Sequence, residues 1–130
     1  LSEKEVVRTE SAPAPFQGAP YNQAISAGGL VFVSGQLGLA PDETALEGKG
    51  IEEQTRQALE NLRAILEAAG SGLARLLKTT VFLADLADFA AMNAVYASYV
   101  GDAPPARATV QVGALPSGAL VEIDAVALAE

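Results

Sequence analysis

Arg107 is the only cationic side chain after Lys78, and it opens an alternating segment, Arg107-Ala-Thr-Val-Gln-Val112, that reads as a strand. Alternation sets Arg107, Thr109 and Gln111 on one face and Ala108, Val110 and Val112 on the other. A lone guanidinium needs an anion, which it grips through two parallel hydrogen bonds. That anion is either Glu122 or Asp124 of the same fold or a small carboxylate ligand, and residue spacing leaves both open. Glu122 and Asp124 stand two apart in a second alternating segment and so project from one face. Sheltered from water, their repulsion and desolvation raise at least one pKa and make it a usable proton carrier. At a wet sheet edge they would do no more than neutralise Arg107 or Lys78. Ser34-Gly35 closes a strand, where a hydroxyl and a free backbone N–H either meet a ligand oxygen or simply make a turn.

The rest of the composition narrows the chemistry. Neither cysteine nor histidine occurs, which removes thiol nucleophiles, Ser/His pairs and the usual zinc ligand sets. Ser34, lacking a histidine partner, is no nucleophile. Gly70-Ser-Gly72 lacks the third glycine of a dinucleotide loop, and Gly48-Lys-Gly50 lacks the spacing of a P-loop. The pairs Asp42-Glu43 and Glu52-Glu53 have no calcium-loop spacing, and the second suits a helix start. No metal site and no nucleotide-binding loop is therefore expected. Sixteen acidic against eight basic residues give a net charge of −8 with no basic stripe, which disfavours nucleic-acid partners. The absence of disulfides fits a reducing compartment, and the expected location is cytoplasmic. No apolar run approaches a membrane span, and residues 1–10 are too polar for the core of a signal peptide. A chain that starts at Leu1 is expected to have lost an initiator methionine or leader.

The elements that must position these residues follow from periodicity. The 130 residues are half apolar, contain no repeat or long linker, and read as one domain over 1–130. Gly28-Gly29 between Gln23–Ala27 and Leu30–Gly35 signals a hairpin. Apolar residues spaced by three and four over 51–69, with Gly70 as the stop, predict a helix. Leu76–Ala84 reads as a strand, and Asp85 or Asp88 as the cap of a second helix running to about Val100. After Pro104-Pro105 come strands over Arg107–Val112 and Leu120–Leu128, and a short strand is expected near Glu5–Thr9. The outcome is an α+β (mixed α/β) fold whose two helices cover one face of a sheet of about six strands. Along the last strand, Leu120, Glu122, Asp124, Val126 and Leu128 share the face opposite Val121, Ile123, Ala125 and Ala127. That mixture is too apolar for a solvated surface, so the uncovered face is expected to pack against other copies of the chain.

Ala19-Pro-Tyr-Asn-Gln-Ala24, Val33-Ser-Gly-Gln36, Gln54-Thr-Arg-Gln57 leading into Glu67-Ala-Ala-Gly70, Lys78-Thr-Thr-Val-Phe82, Asp88-Phe89 with Asn93 and Tyr96, and Pro105-Ala-Arg107 through Leu115-Pro116 to Val121-Glu-Ile-Asp-Ala125 occur in this order. With these motifs the chain resembles the RidA (YjgF) family from about Ser11 to Leu128. The resemblance implies a chorismate-mutase-like fold, with a six-stranded mixed sheet, two helices on one face and a homotrimer around a central barrel. It also implies hydrolysis of reactive enamines and imines, such as 2-iminobutanoate and 2-iminopropanoate, to 2-oxo acids and ammonia without metal or cofactor. Arg107 would hold the substrate carboxylate, and Glu122 would orient or activate the attacking water. Tyr21, Ser34, Gly35, Phe89, Asn93 and Thr109 match positions lining a pocket between neighbouring subunits.

Thr109 stands where many members carry cysteine, and Ala19 replaces the glycine usual before Pro-Tyr. Two other classes are weighed against the deaminase. One is a non-catalytic, chaperone-like trimer whose pocket captures a small carboxylate or 2-oxo acid. The other is the ribonuclease activity of some relatives, which the charge of −8 and the missing histidine make a poor fit here. No nucleic acid and no membrane is expected as a partner.

Overall fold

A computed structural model describes residues 3–130; Leu1 and Ser2, and with them the reading of the chain start, lie outside the described residues. Eight principal elements follow one another as β1 (Glu5–Val7), β2 (Ala24–Ala27), β3 (Leu30–Gln36), α1 (Ile51–Ala68), β4 (Leu76–Leu83), α2 (Phe89–Val100), β5 (Ala106–Gln111) and β6 (Val121–Leu128). The strands form one sheet in the order β1-β2-β3-β6-β4-β5. Only β4 and β5 run parallel, joined by α2; the remaining neighbours are antiparallel.

Local chemistry explains the boundaries. Gly28 and Gly29 both have positive φ (59° and 80°) and close the β2–β3 hairpin, a backbone that residues with a Cβ resist. Helix α1 ends where Gly70 adopts φ 80°, letting Ser71 N–H reach Leu66 O and Gly70 N–H reach Glu67 O; the paired bonds satisfy carbonyls that would otherwise be orphaned. Neither aspartate caps α2 itself: Asp85 caps the 3-10 turn Leu86–Asp88 that leads into α2, its carboxylate accepting from Ala87 N–H at 2.9 Å, and Asp88 at the start of α2 makes no side-chain cap bond. Strand β2 starts one residue later than the pattern suggested because Gln23 is spent as a bracket. Its amide donates to Thr9 O, Ala12 O and Pro13 O and accepts from Thr9 N–H, fixing the segment before Tyr21.

Both helices pack on one face of the sheet. Leu59, Leu62, Ile65 and Leu66 of α1 and Met92 of α2 are fully buried against Val31, Val81, Leu83, Val121 and Ile123. Each such side chain contributes about 1.5–3 kcal/mol of transfer free energy. The loop between β3 and α1 is tied to α1 by buried amides: Asn61 donates to Leu37 O and Leu39 O, and Gln54 donates to Lys49 O and accepts from Leu120 N–H. At Gly38 this contact is so close that a Cβ would lie 2.5 Å from the Gln54 Cα. Gly38→Ala is therefore expected to lower the unfolding free energy by about 1–3 kcal/mol, read as a fall in the denaturant midpoint, because backbone on backbone cannot yield; an unchanged midpoint would refute the contact.

The opposite face of the sheet is bare. Val6, Phe32, Val110 and Leu128 are each 40–48% exposed there. Val6, Ile25, Phe32 and Val126 fall in one cross-strand row. No helix among the described residues is long and apolar enough to cross a membrane.

Candidate active site

Arg107 pairs in register with Thr79 of β4, whereas Glu122 pairs with Phe82 of the same strand. Thr79 and Phe82 are three residues apart, so their side chains leave β4 on opposite faces. Arg107 therefore lies on the helix side of the sheet and Glu122 on the bare side. With β4 between them, the two strands are also about 10 Å apart, and the residues are offset by about 10 Å along the sheet. An ion pair of Arg107 with Glu122 or Asp124 within one chain, one of the two readings the sequence allowed, is thus excluded by strand order. The eight candidate residues fall into two half-sites.

The first half-site is built by β5 and α2. Residues 89, 93 and 96 fall on one side of α2, by the three-, four- and seven-residue spacing of a helix. The Arg107 guanidinium carbon lies 5.6 Å from the centroid of the Phe89 ring and 4.8 Å from that of Tyr96. Asn93 and Arg107 share the wall of an open cleft of about 420 Å³ that reaches to Pro104-Pro105. Arg107 forms no salt bridge among the described residues, where the cation–carboxylate pairs are Lys49–Glu43 and Arg63–Glu60. Thr109, two residues along the same face, has its hydroxyl oxygen buried with no hydrogen-bond partner. Gln111 completes the face by accepting from Leu86 N–H at 2.8 Å, which pins the turn leading into Phe89. A planar cation over aromatic faces, beside an unsatisfied hydroxyl, has the chemistry to hold a small oxyanion.

The second half-site gathers around Glu122. The β3–β6 register shifts between Val33 and Gln36, a bulge that holds Ser34 and Gly35. The Ser34 hydroxyl donates to Asn22 O at 2.6 Å and its N–H donates to Gln23 O. The bulge is thereby fixed to the segment carrying Tyr21. Tyr21 is 41% exposed; its hydroxyl accepts from Phe16 N–H, and it lines a narrow cleft with Gly35 and Gln36. A Cβ on Gly35 would stand 2.2 Å from Glu122 Oε2, so the carboxylate rests directly on the glycine. Burial, and secondarily the negative charge of Asp124, hold the Glu122 pKa above the ordinary carboxylate value. Asp124 itself accepts from Thr80 N–H at 3.2 Å. The arrangement is a half-buried carboxylate whose protonated form is favoured by its surroundings.

Among the described residues no group of three or more His, Cys, Asp or Glu side chains is placed to hold a metal ion. The helical spacing that marks Phe89 and Asn93 also marks Tyr96, which entered the sequence analysis only within a family motif. Its hydroxyl lies 2.6 Å from that of Thr79, a residue that carried no signal, since a threonine in a strand is ordinary.

A family model described as Endoribonuclease L-PSP matches residues 9–129. The chain is 50% identical over 127 residues to RutC family protein PH0854 of Pyrococcus horikoshii, covering 98% of this chain and 99% of that one. It is 44% identical over 125 residues to the mouse protein named 2-iminobutanoate/2-iminopropanoate deaminase, covering 96% of this chain and 91% of the mouse protein. The crystal structure of RidA from the Antarctic bacterium Psychrobacter superposes with a TM-score of 0.90 at 42% identity, covering 95% of this chain and 98% of that one.

Proposed function

Because the chain belongs to the RidA (YjgF) family, we propose that it hydrolyses 2-iminobutanoate and 2-iminopropanoate to the 2-oxo acid and ammonia, at sites shared between copies of a homotrimer. The observation that carries this reading is an arginine without an acidic partner, held over two aromatic rings on one side of the sheet, while the carboxylate base sits on the other side. Neither half acts alone on a substrate of a few ångströms. A second copy whose own bare face packs across the β5 edge of the first brings its Glu122, Gly35, Ser34 and Tyr21 to the first copy's Arg107, Thr109, Phe89 and Asn93. The trimer follows family membership and covers Val6, Phe32 and Leu128, which a monomer would leave in water.

The chemistry is a water addition followed by an elimination. Arg107 takes the substrate carboxylate in two parallel hydrogen bonds and fixes the imine plane. Ionised Glu122 accepts a proton from a water whose oxygen bonds to the imine carbon and passes that proton to the imine nitrogen, giving a carbinolamine. Glu122 then takes the proton of the new hydroxyl and delivers it to the amino group; the carbon–nitrogen bond breaks, ammonia leaves and the carbonyl forms. Every atom comes from the imine and one water, and no step calls on a cofactor. The same reading assigns the enzyme to the cytoplasm.

Gly35→Ala is a specific consequence. The added methyl displaces the Glu122 carboxylate on which the water depends, so turnover should fall by about 10²-fold, the scale of a lost general base, with the assembly intact. Wild-type turnover in that variant would show that Glu122 is not seated as described.

The whole reading is tested by generating 2-iminobutanoate from threonine with a dehydratase in the presence of semicarbazide. The deaminase should suppress the trapped adduct and speed 2-oxobutanoate release, and Arg107→Ala should do neither. Binding of 2-oxobutanoate without turnover would select the carboxylate-binding alternative. The ribonuclease alternative, which the description of the family model names, is disfavoured by a net charge of −8 and the absence of histidine.

A further inference from the structure

Tyr96 and Thr79 form a polar pair where an apolar one would fill the space. Tyr96 is 5% exposed and Thr79 is fully buried, and their hydroxyl oxygens lie 2.6 Å apart. Phenylalanine and valine at these positions would pack similarly without two hydroxyls to desolvate. What the hydroxyl pair adds is direction: it anchors the far end of the Tyr96 ring to β4 at the residue paired in register with Arg107. The same ring lies under the Arg107 guanidinium at 4.8 Å, closer than Phe89 at 5.6 Å. Among the described residues no carboxylate pairs with Arg107, so the two rings set the plane of its guanidinium, Tyr96 as the nearer and more buried of them, and a planar donor fork binds a carboxylate well only in one orientation.

We infer that Tyr96, anchored by Thr79, is a positioning residue that holds the Arg107 guanidinium in the plane required to clamp a carboxylate ligand. The inference rests on Arg107 acting as the carboxylate clamp. Tyr96 shares the wall of the cleft with Asn93 and Arg107, and acts through the arginine, so its loss should weaken carboxylate binding and leave proton transfer at Glu122 alone.

The test uses the full assembled protein and 2-oxobutanoate as probe. Tyr96→Leu should raise the Kd for 2-oxobutanoate and the KM for the imine by about tenfold, the scale of a desolvated cation–π contact, with little change in kcat. Tyr96→Phe and Thr79→Val, which keep the ring but release its anchor, should each raise Kd by about threefold, and together no further, because they break one hydrogen bond. In an Arg107→Lys background Tyr96→Leu should add nothing, whereas a purely structural residue would add its full loss. A second readout is independent of function. The Arg107 side-chain protons, assigned by their absence in Arg107→Ala, should resonate upfield under the Tyr96 ring current and return to unshifted positions in Tyr96→Leu.

Wild-type Kd in a folded Tyr96→Leu protein, additivity with Arg107→Lys, or unshifted Arg107 protons in the wild type would each overturn the inference. If Tyr96→Leu does not fold, unchanged binding in both Tyr96→Phe and Thr79→Val overturns it equally. If the protein binds 2-oxobutanoate but hydrolyses no imine, the deaminase reading fails while these comparisons still decide the role of Tyr96. If it does neither, the carboxylate clamp fails and the ring-current shift alone decides whether Tyr96 fixes Arg107.

Discussion

Arg107→Lys should lower kcat/KM for 2-iminobutanoate by about two orders of magnitude, although it keeps the positive charge. A guanidinium presents two parallel donors to a carboxylate and stacks over aromatic rings; an ammonium does neither well. Phe89 and Tyr96 are spaced from the arginine for stacking, at 5.6 and 4.8 Å. Lysine would forfeit both the fork and the platform. Because the bonds to the substrate carboxylate exist in the ground state as well as the transition state, most of the loss should appear in KM, with a smaller part in kcat from misaligned attack. Folding should be unaffected, for Arg107 makes no salt bridge among the described residues that the change could break. Steady-state kinetics on the isolated variant check this, and a KM within twofold of wild type would remove the clamp from the mechanism.

Glu122→Gln should cut kcat by about 10²–10⁴-fold, the usual contribution of a positioned acid–base group, and at the same time raise the melting temperature near neutral pH. The two effects share one cause. Burial and Asp124 raise the Glu122 pKa in the folded protein, so the fold favours the protonated form. The stability this group contributes is fully present below its unfolded pKa and is lost as pH rises through the raised folded value. At neutral pH the ionised carboxylate is therefore a cost, and the uncharged amide removes it. Activity runs the other way, since the water-activating step needs the ionised form. The rate should fall along an acid limb as pH drops through the Glu122 pKa, which burial and Asp124 push up and the arginine of the neighbouring copy lowers. Asp124→Asn takes away the like charge and should move that limb to lower pH. Lys78, which projects from the same sheet face opposite Val126, leaves the direction of the shift unchanged. A limb that stays in place in Asp124→Asn would assign the titration to another group.

Much of this arrangement was legible in the residues. The spacing of Ala58, Leu59, Leu62, Ile65 and Leu66 with Gly70 behind them specifies α1 within a residue of its end, and Gly28-Gly29 specifies the hairpin. These signals are local, as are the alternations that put Glu122 with Asp124 and Arg107 with Thr109 and Gln111. What no local pattern carries is which face of one strand corresponds to which face of another. That depends on β4 lying between β5 and β6, parallel to one and antiparallel to the other. Hence an Arg107–Glu122 pair within one chain looked available in sequence and is absent in space. The Asp85 cap differed from its neighbour Asp88 only by the three-residue turn inserted before α2. Tyr96 was hidden for a different reason: one side chain serves both the core and the arginine, and helical periodicity registers only the first.

The most direct test of a site divided between copies is complementation. Arg107→Ala and Glu122→Gln proteins, each inactive alone, are unfolded together, refolded as a mixture and assayed for 2-iminobutanoate hydrolysis. A mixed ring contains interfaces where the intact Arg107 of one copy faces the intact Glu122 of the next. Random assortment makes these about one quarter of all sites in a closed ring with head-to-tail contacts. The predicted result is recovery of about a quarter of wild-type activity. A mixture shown by mass spectrometry to contain mixed assemblies, yet as inactive as its parents, would contradict the two-half site.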